Sequence, residues 1–374
     1  MRLYDIVKEL DVLFCKQAAV EGDNVGLQIG KVDQHIDKIL LTIDVTDEVI
    51  EETLAEKAGL IFTHHPLIFS PLLNITEEGS IGKKIIRLIE NRVAVYAAHT
   101  NYDLMPEGVN DLLAEKIGLK DIEVLEYAAP GKWYKFMIFV PEKNAIEIRE
   151  TICEYGGGRI GDYSCCTFNI RGTGTFKPHS GAKPHTGEID KLNFVDEVKI
   201  ECVVSEKNLV DLLNAVLSVH PYEEPAYDIY RLENKIDTYG IGRIGRLKKP
   251  ESYRSFMGSL KDHLELKNLR WMASDEEIED KKIEKVAVIN GSANSVVPSI
   301  LYDDFSCDLL VTGELKYHNA LSLAEKGIIV VEIGHGESEK IAINGIYSVL
   351  TDRFKELKTV KSQTGFKPWR YYIE

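Results

Sequence analysis

The chain has 374 residues, 44% of them apolar and 28% charged, with a formal net charge of −15. At roughly 100–200 residues per domain the length allows two or three domains, and the apolar fraction is that of a globular chain, which excludes disordered and collagen-like classes. The 60 Asp and Glu against 45 Lys and Arg argue against a nucleic-acid binder, because duplex DNA is held largely by phosphate neutralisation and an acidic surface repels it. No run approaches about 20 consecutive apolar residues, so no membrane span is expected. The opening Met1-Arg-Leu-Tyr-Asp-Ile-Val-Lys-Glu-Leu10 mixes acid and base and is not a secretory signal. The 6 cysteines form no C-x-x-C pair, and adjacent Cys165 and Cys166 suit buried strand thiols better than a bridge. A reduced, cytoplasmic protein is expected.

Apolar residues at helical spacing predict a helix over Met1–Phe14, followed by a Gly-rich turn from Glu21 to Gly30. Lys38–Asp44 is a short apolar run ending in a polar residue, Asp47–Lys57 is helical, and Gly59-Leu-Ile-Phe-Thr-His-His-Pro66 is a second buried-strand pattern. Ile81–Asn91 is helical and Arg92–Thr100 is a third strand. Short apolar strands alternating with helices indicate a parallel α/β layer. Between about Pro130 and Asn234 the composition shifts to Gly, aromatic and Cys. Strands are expected at Lys135–Val140, Tyr163–Thr167, Asn169–Phe176, Val198–Val204 and Ala226–Leu232. Helices are expected at Ala145–Tyr155, capped by Gly156-Gly-Gly158, and at Lys207–Val219, with a polar loop at Lys177–Gly187. The order β-α-β-β-α-β is the ferredoxin-like plan.

The outer pattern then returns. Lys285–Asn290, Asp308–Glu314 and Gly327–His335 read as strands, and 337–357 as a helix. Lys38-Ile-Leu-Leu-Thr-Ile-Asp44 aligns with Lys285-Val-Ala-Val-Ile-Asn290, Leu60–Thr63 with Leu309–Thr312, and Asn24–Gly30 with Tyr239–Gly245. The reading is an α/β chain. A duplicated domain, residues 1–128 and 236–374, is interrupted by an inserted ferredoxin-like α+β domain at 129–235. Insertions of this kind succeed at exposed loops whose ends lie close together.

In parallel α/β sheets, sites form at the carboxyl ends of the strands. Those ends carry His64 and His65, His99 and Asp103, and His335 and Glu339. Imidazole nitrogen and carboxylate oxygen are ligands for zinc, iron and manganese. His335 and Glu339 are four residues apart, which on a helix puts both on one face. Glu314, Lys316, His318 and Glu332 are further candidates for acid, base or orienting roles.

These residues carry a resemblance to the Nif-three-like family, also labelled GTP cyclohydrolase type 2 homologues. The shared motifs are Asp23-Asn-Val-Gly-Leu27, Thr63-His-His-Pro66, Ala98-His-Thr-Asn-Tyr-Asp103, Tyr239-Gly-Ile-Gly-Arg-Ile-Gly245, Thr312-Gly-Glu314 and Gly334-His-Gly-Glu-Ser-Glu339. They span both outer segments, with no departure at a ligand position. The resemblance implies two divalent metal ions per chain, zinc first and iron or manganese as alternatives, on His64, His65, Asp103, His335 and Glu339. It makes His99 and His318 near neighbours. It also implies a homohexameric ring whose metal sites face an interior cavity with room for a small-molecule ligand. The middle segment resembles the CutA/PII-like insert of the longer bacterial members, through Gly156-Gly-Gly-Arg-Ile-Gly-Asp-Tyr163 and His220-Pro-Tyr-Glu-Glu-Pro-Ala-Tyr227. In the family it caps the openings of the ring.

Two divalent ions about 3.5–4 Å apart generate a nucleophilic water at neutral pH, which suits hydrolysis of a phosphate ester, cyclic amidine or amide. The expected function is therefore a metal-dependent hydrolase; a nucleotide-like, GTP cyclohydrolase-type substrate is what the resemblance adds, since the His-Asp-Glu set does not choose among these substrates. The alternative is a non-enzymatic metal-binding, regulatory or scaffold ring. A zinc cyclohydrolase design needs Cys and His ligands, and Cys307 lies away from the ligand motifs. Gly240-x-Gly242-x-x-Gly245 fits a dinucleotide string, but it leads into Arg246-Leu-Lys-Lys-Pro250 rather than a helix, so no nucleotide loop is expected. His179, His185 and His220 show no ligand spacing, and Trp133, Trp271 and Trp369 form no stacking platform.

Overall fold

The computed structural model describes the chain apart from residues 128–132, 162, 234–238, 275–277, 279–280, 303–305 and 366–374, and apart from the side chains at 207 and 302. Expected domain joins at 128/129 and 235/236, and Trp369, lie outside the described residues. The strands in chain order are β1 (Gly26–Ile29), β2 (Lys38–Thr42), β3 (Leu60–Thr63), β4 (Ala94–Ala97), β5 (Lys120–Tyr127), β6 (Trp133–Pro141), β7 (Phe168–Phe176) and β8 (Asn193–Ser205). They continue with β9 (Tyr227–Leu232), β10 (Gly240–Ser252), β11 (Arg270–Met272), β12 (Lys282–Ser292), β13 (Leu309–Glu314), β14 (Ile329–Glu332) and β15 (Lys358–Lys361). The chain divides into two compact units, Met1–Ala128 with Thr238–Glu374, and Ala129–Asp237.

The first unit holds two mixed sheets, ordered β1-β4-β3-β2-β15 and β11-β14-β13-β12-β10-β5. In each, three consecutive strands run parallel: β2, β3 and β4 in one and β12, β13 and β14 in the other. Strands β3, β4 and β14 are buried at every residue. That is the expected signature of parallel strands covered on both faces. One face of the first sheet packs Leu41, Phe62 and Tyr96 against Leu3, Ile6 and Leu10 of the helix Leu3–Leu13, and against Ile346 and Leu350 of the helix Ala342–Arg353. The helix Val109–Ile117 serves both sheets. Its Val109 packs in the core of the first, while Leu113, Ala114 and Ile117 pack with Val286, Val288 and Val311 of the second.

The two halves exchange edges. Strand β15, from the end of the chain, lies parallel beside β2, and β5, from the first half, lies antiparallel beside β10. The topology also corrects the glycine alignment. Strand β1, which emerges from the expected Gly-rich turn, runs antiparallel beside β4. Its counterpart is β11, antiparallel beside β14. Strand β10, which carries Gly240–Gly245, instead lies between β12 and β5. Its glycines admit close strand approach, since a Cβ on Gly240 would stand 2.3 Å from the Glu126 carbonyl. The long helix expected over 337–357 is two helices, His335–Glu339 and Ala342–Arg353.

The inserted unit is one antiparallel sheet, β7-β8-β6-β9, with the helices Ala145–Glu154 and Glu206–Val219 in the order β-α-β-β-α-β. Alternate residues of β8 (Val198, Ile200, Cys202, Val204) meet Ile148, Ile152, Leu212 and Val216. The first helix ends at Gly156, whose φ of +77° supplies the left-handed cap. The expected strand Tyr163–Thr167 is absent: the segment is a turn with Cys165 at φ +58°. That turn exposes Cys165, brings it to Cys153 with Cα atoms 4.7 Å apart, and leaves Cys166 half-buried. Cys165 and Cys166 are therefore not the buried strand thiols expected, and the Cys153–Cys165 pair runs against the expected set of reduced thiols.

The guanidinium of Arg243 on β10 is a buried charge with five hydrogen bonds among the described residues. It pairs with both oxygens of Asp111 at 2.7 Å and donates to the carbonyls of Gly240, Gly242 and Met105. Replacing it with Met strands a carboxylate and three carbonyls. The expected loss is about 3–5 kcal/mol, read as a lower urea midpoint at unchanged slope. Arg243→Lys is expected to recover little of it, because an ammonium cannot reproduce the fork.

Candidate metal centre

The carboxyl ends of both parallel triplets converge. His64 and His65 follow β3, Asp103 lies on the short helix Thr100–Leu104 after β4, and His335 and Glu339 lie on the helix after β14. Proline at 66 stops β3 just beyond the histidines. The backbone N–H groups of His64 and His65 donate to the carbonyls of Thr42 and Ile43 at the end of β2, so the pair continues the sheet edge.

Glu339 is the centre of the cluster, with only 3% of its side chain exposed. Its Oε1 stands 3.2 Å from Nε2 of His335 and 3.8 Å from Nε2 of His64, and its Oε2 stands 2.9 Å from Nε2 of His65. Asp103 approaches from the other side, its Oδ1 3.6 Å from Nε2 of His64. All five residues expected from sequence are thus linked by carboxylate–imidazole contacts. One donor atom from each of His64, His65 and Glu339 lies within 4.8 Å of the other two, a group able to hold a metal ion.

Two glycines make the approach physical. Gly291, φ +58°, ends β12 where a Cβ would stand 2.6 Å from Oε1 of Glu339. On Gly313 a Cβ would stand 2.6 Å from Oγ of Ser338. That hydroxyl accepts from the N–H of Gly291 at 2.8 Å and donates to the carbonyl of His335 at 2.6 Å. It thereby ties the helix carrying two of the five residues to the end of β12.

A surrounding set of polar groups orients the imidazoles, and sequence reasoning assigned these groups no such role. Nδ1 of His64 bonds the carbonyl of Ala98 at 2.9 Å. Nδ1 of His65 bonds Oδ1 of Asp44 at 2.8 Å, the carboxylate–histidine pairing that fixes which nitrogen faces a metal. Asn290 donates to Asp103 at 2.8 Å. Asp44 lies just beyond β2 and Asn290 near the end of β12, the positions that the sequence alignment of those strands set against each other, so the alignment held the signal. Asp23 bonds Nδ1 of His99 at 3.0 Å and accepts from the N–H and hydroxyl of Thr100. The His99 ring lies 5.4 Å from that of His64 and 5.5 Å from that of His65, beside the cluster as expected.

Of the other candidates, Glu314 stays beside the centre while His318 and Glu332 do not join it. His318 is exposed with its ring against Tyr317. Glu332 is a structural group: it accepts from Arg270 of the neighbouring strand and from the N–H of Leu315. Glu314 stands 3.4 Å from Nδ1 of His335. Among the described residues no helix is long and apolar enough to cross a membrane.

The electrostatics follow from burial. Burial alone would raise the Glu339 carboxyl, but contacts with His335, His64 and His65 hold it well below the usual range. Burial would likewise lower His65, yet Asp44 and Glu339 push it up to about 10. His64 is also raised, by Asp103 and Glu339 against its own burial. Burial raises the Asp103 carboxyl. Even so, Nε2 of His64 and Oε2 of Glu339 are sealed from water with no well-aligned hydrogen-bond partner. Orphaned donors and acceptors of this kind cost stability, and a divalent cation satisfies both. The residues fit a metal.

A family model described as Duf34/NIF3 (NGG1p interacting factor 3) matches residues 1–368. A Halalkalibacterium halodurans protein called GTP cyclohydrolase 1 type 2 homolog is 40% identical over 343 residues, 92% of this chain and 90% of its own. The Bacillus subtilis protein of the same name is 38% identical over the same shares. Among solved structures, a Bacillus cereus protein related to NIF3 superposes with a TM-score of 0.82 at 36% identity, over 100% of this chain and 99% of that one.

Two outcomes test the centre. Asp44→Asn is expected to weaken divalent-ion binding about 10–100-fold, measured by competition with a chromophoric chelator. His65, pushed up to about 10, holds its proton at pH 7 when no ion is bound. Ion uptake must displace it, so affinity falls as pH falls. Calorimetric titrations at pH 7 in buffers of different ionisation enthalpy are expected to show protons released.

Proposed function

The chain belongs to the Duf34/NIF3 family, and on that premise we propose that it is a metal-dependent hydrolase working with two divalent ions on His64, His65, Asp103, His335 and Glu339. The observation that carries the reading is the buried Glu339 carboxylate ringed by the imidazoles of His64, His65 and His335, with one donor atom from each of His64, His65 and Glu339 within 4.8 Å of the other two. The donor set supports zinc, with iron and manganese as alternatives. Five protein donors exceed the three that a single catalytic zinc usually takes, which supports a second ion.

Ions bound there supply Lewis acidity and lower the pKa of water toward about 7. The chain's own residues do the rest. Asp44 holds His65 with Nε2 inward, and Ala98 does the same for His64 through its carbonyl. Asp23 occupies Nδ1 of His99, which leaves Nε2 as the nitrogen that moves a proton beside the cluster. The reaction class is hydrolysis of a phosphate ester, cyclic amidine or amide. The relatives' name, GTP cyclohydrolase 1 type 2 homolog, supports a nucleotide-like substrate. A homohexameric ring with the centres facing an interior cavity fits a site that must exclude bulk water, and a cytoplasmic location fits a metal centre built from imidazole and carboxylate.

Elemental analysis of protein purified without chelator is expected to find about two ions per chain, with a clear loss in His335→Ala. Much less than one ion in the wild type sinks the centre itself. Metal-loaded protein is expected to hydrolyse at least one member of a panel of nucleotides, phosphodiesters and cyclic amides, and His64→Ala to lose that rate. Equal rates for both proteins on every substrate would leave a non-enzymatic metal-binding or scaffold role in its place.

A further inference from the structure

The motif His220-Pro-Tyr-Glu-Glu-Pro225 takes no part in the metal centre. It builds one wall of a cavity of about 270 Å³ that lies wholly within the inserted unit. The far wall is the end of β7 and the loop that follows it, and the floor includes Phe139 of β6.

Several details show that this wall is constructed rather than incidental. His220 is buried, with 8% of its surface exposed. Its Nε2 bonds the carbonyl of Phe139 at 3.0 Å, and its Nδ1 accepts from the N–H of Tyr222 at 3.1 Å. Only the neutral ring with its proton on Nε2 makes both bonds, and the pair pins the turn to the floor. Tyr222 in turn donates its hydroxyl to Oε1 of Glu197 at 2.9 Å. The same Glu197 carboxylate lies across Gly174 of β7, where a Cβ would stand 2.1 Å from Oε2. A glycine at that position clears the space, so one carboxylate is held against the cavity by a hydroxyl on one side and bare backbone on the other.

The lining fixes the ligand's chemistry. Its acidic residues are Glu197, Glu223 and Glu224; no Lys or Arg lines it, although Nζ of Lys143 stands 3.0 Å from Nε2 of the lining His185. Glu223 already accepts from the N–H of Lys183, which leaves Glu197 as the carboxylate held against the cavity. Such a wall repels phosphates, nucleotides and carboxylates. Its apolar surfaces include the rings of Phe139, Phe176 and Tyr222, and aromatic faces attract cations through their quadrupoles. A bare metal ion has no apolar body to fill the space between the rings, whereas an ammonium group on an apolar body uses both the carboxylate and the apolar lining. We propose that the inserted unit binds a small organic cation, a protonated amine with an apolar body, with its ammonium group on Glu197. This site is independent of the metal centre and of the hydrolase reading.

The test is titration of the full chain by calorimetry and ligand-observed NMR. The probes are phenethylamine and cyclohexylmethylamine, with size-matched 3-phenylpropionate and cyclohexylacetate as anionic controls. The amines are expected to bind saturably and the carboxylates not at all. Glu197→Gln keeps an acceptor for Tyr222 and is expected to weaken amine binding about tenfold to a hundredfold, with the metal content unchanged. Gly174→Ala, which pushes the carboxylate aside, is expected to weaken it similarly. Absence of saturable binding by either amine overturns the proposal. So does equal binding of the carboxylates, unchanged affinity in Glu197→Gln, or competitive displacement of the amine by millimolar calcium or magnesium.

Discussion

A carboxylate cut off from water must be compensated at close range, and the arrangement of the first unit answers that demand at Glu339. An isolated buried charge costs many kcal/mol, so such a group survives only with partners around it. Here the partners come from both halves of the chain: two imidazoles from the end of β3 and one from the turn before it on its own helix. The backbone yields as well, since Gly291 and Gly313 stand where any Cβ would press on Glu339 or on Ser338. The cluster is therefore assembled only when the two sheets close with their strand ends facing. The His–carboxylate cluster and the tertiary structure are one constraint seen twice.

What could be read before folding was the local part. Buried four-residue runs ending in His or Asp marked β2, β3 and β4, because a parallel strand covered on both faces has no polar alternation to hide it. The five ligand candidates stood at strand ends, and all five meet. What escaped was everything decided by distance along the chain. The edges β5 and β15 are mixed in polarity, and nothing local says that each joins the sheet of the other half. The glycine-rich stretches 24–30 and 239–245 look alike, yet one edges β4 and the other is inserted between β12 and β5. Glycine recurs there for close packing, a reason that does not depend on ancestry. Asp44, Asp23 and Asn290 were in plain sight as strand-end or turn residues. Their roles come from which imidazole or carboxylate each one reaches, and a one-dimensional pattern does not carry that.

The inserted unit obeys a different logic from the unit it interrupts. Its sheet is antiparallel, buried on one face and alternating along β8, with a core of its own. Its carboxylates gather beside aromatic rings, whereas those of the first unit gather beside imidazoles. The Duf34/NIF3 family model covers the chain from residue 1 to 368, so it takes in both units. The overall charge of −15 is thus not spread evenly as a solubilising coat. Part of it, at Glu339 and Asp103, lies inside the first unit, where imidazoles rather than Lys or Arg stand against it.

The exchanged edge strands bear on how the chain is made. Strand β2 pairs with β15 from Lys38↔Lys358 to Leu41↔Lys361, so synthesis of nearly the whole polypeptide separates the two partners. Until residue 361 leaves the ribosome, β2 presents an open row of backbone donors and acceptors, the kind of edge that recruits stray strands. The inserted unit, with its contiguous sequence and its own core, is complete far earlier. Domain order along the chain is then the reverse of folding order: the interruption folds first, and the domain it interrupts closes only when the last strand arrives.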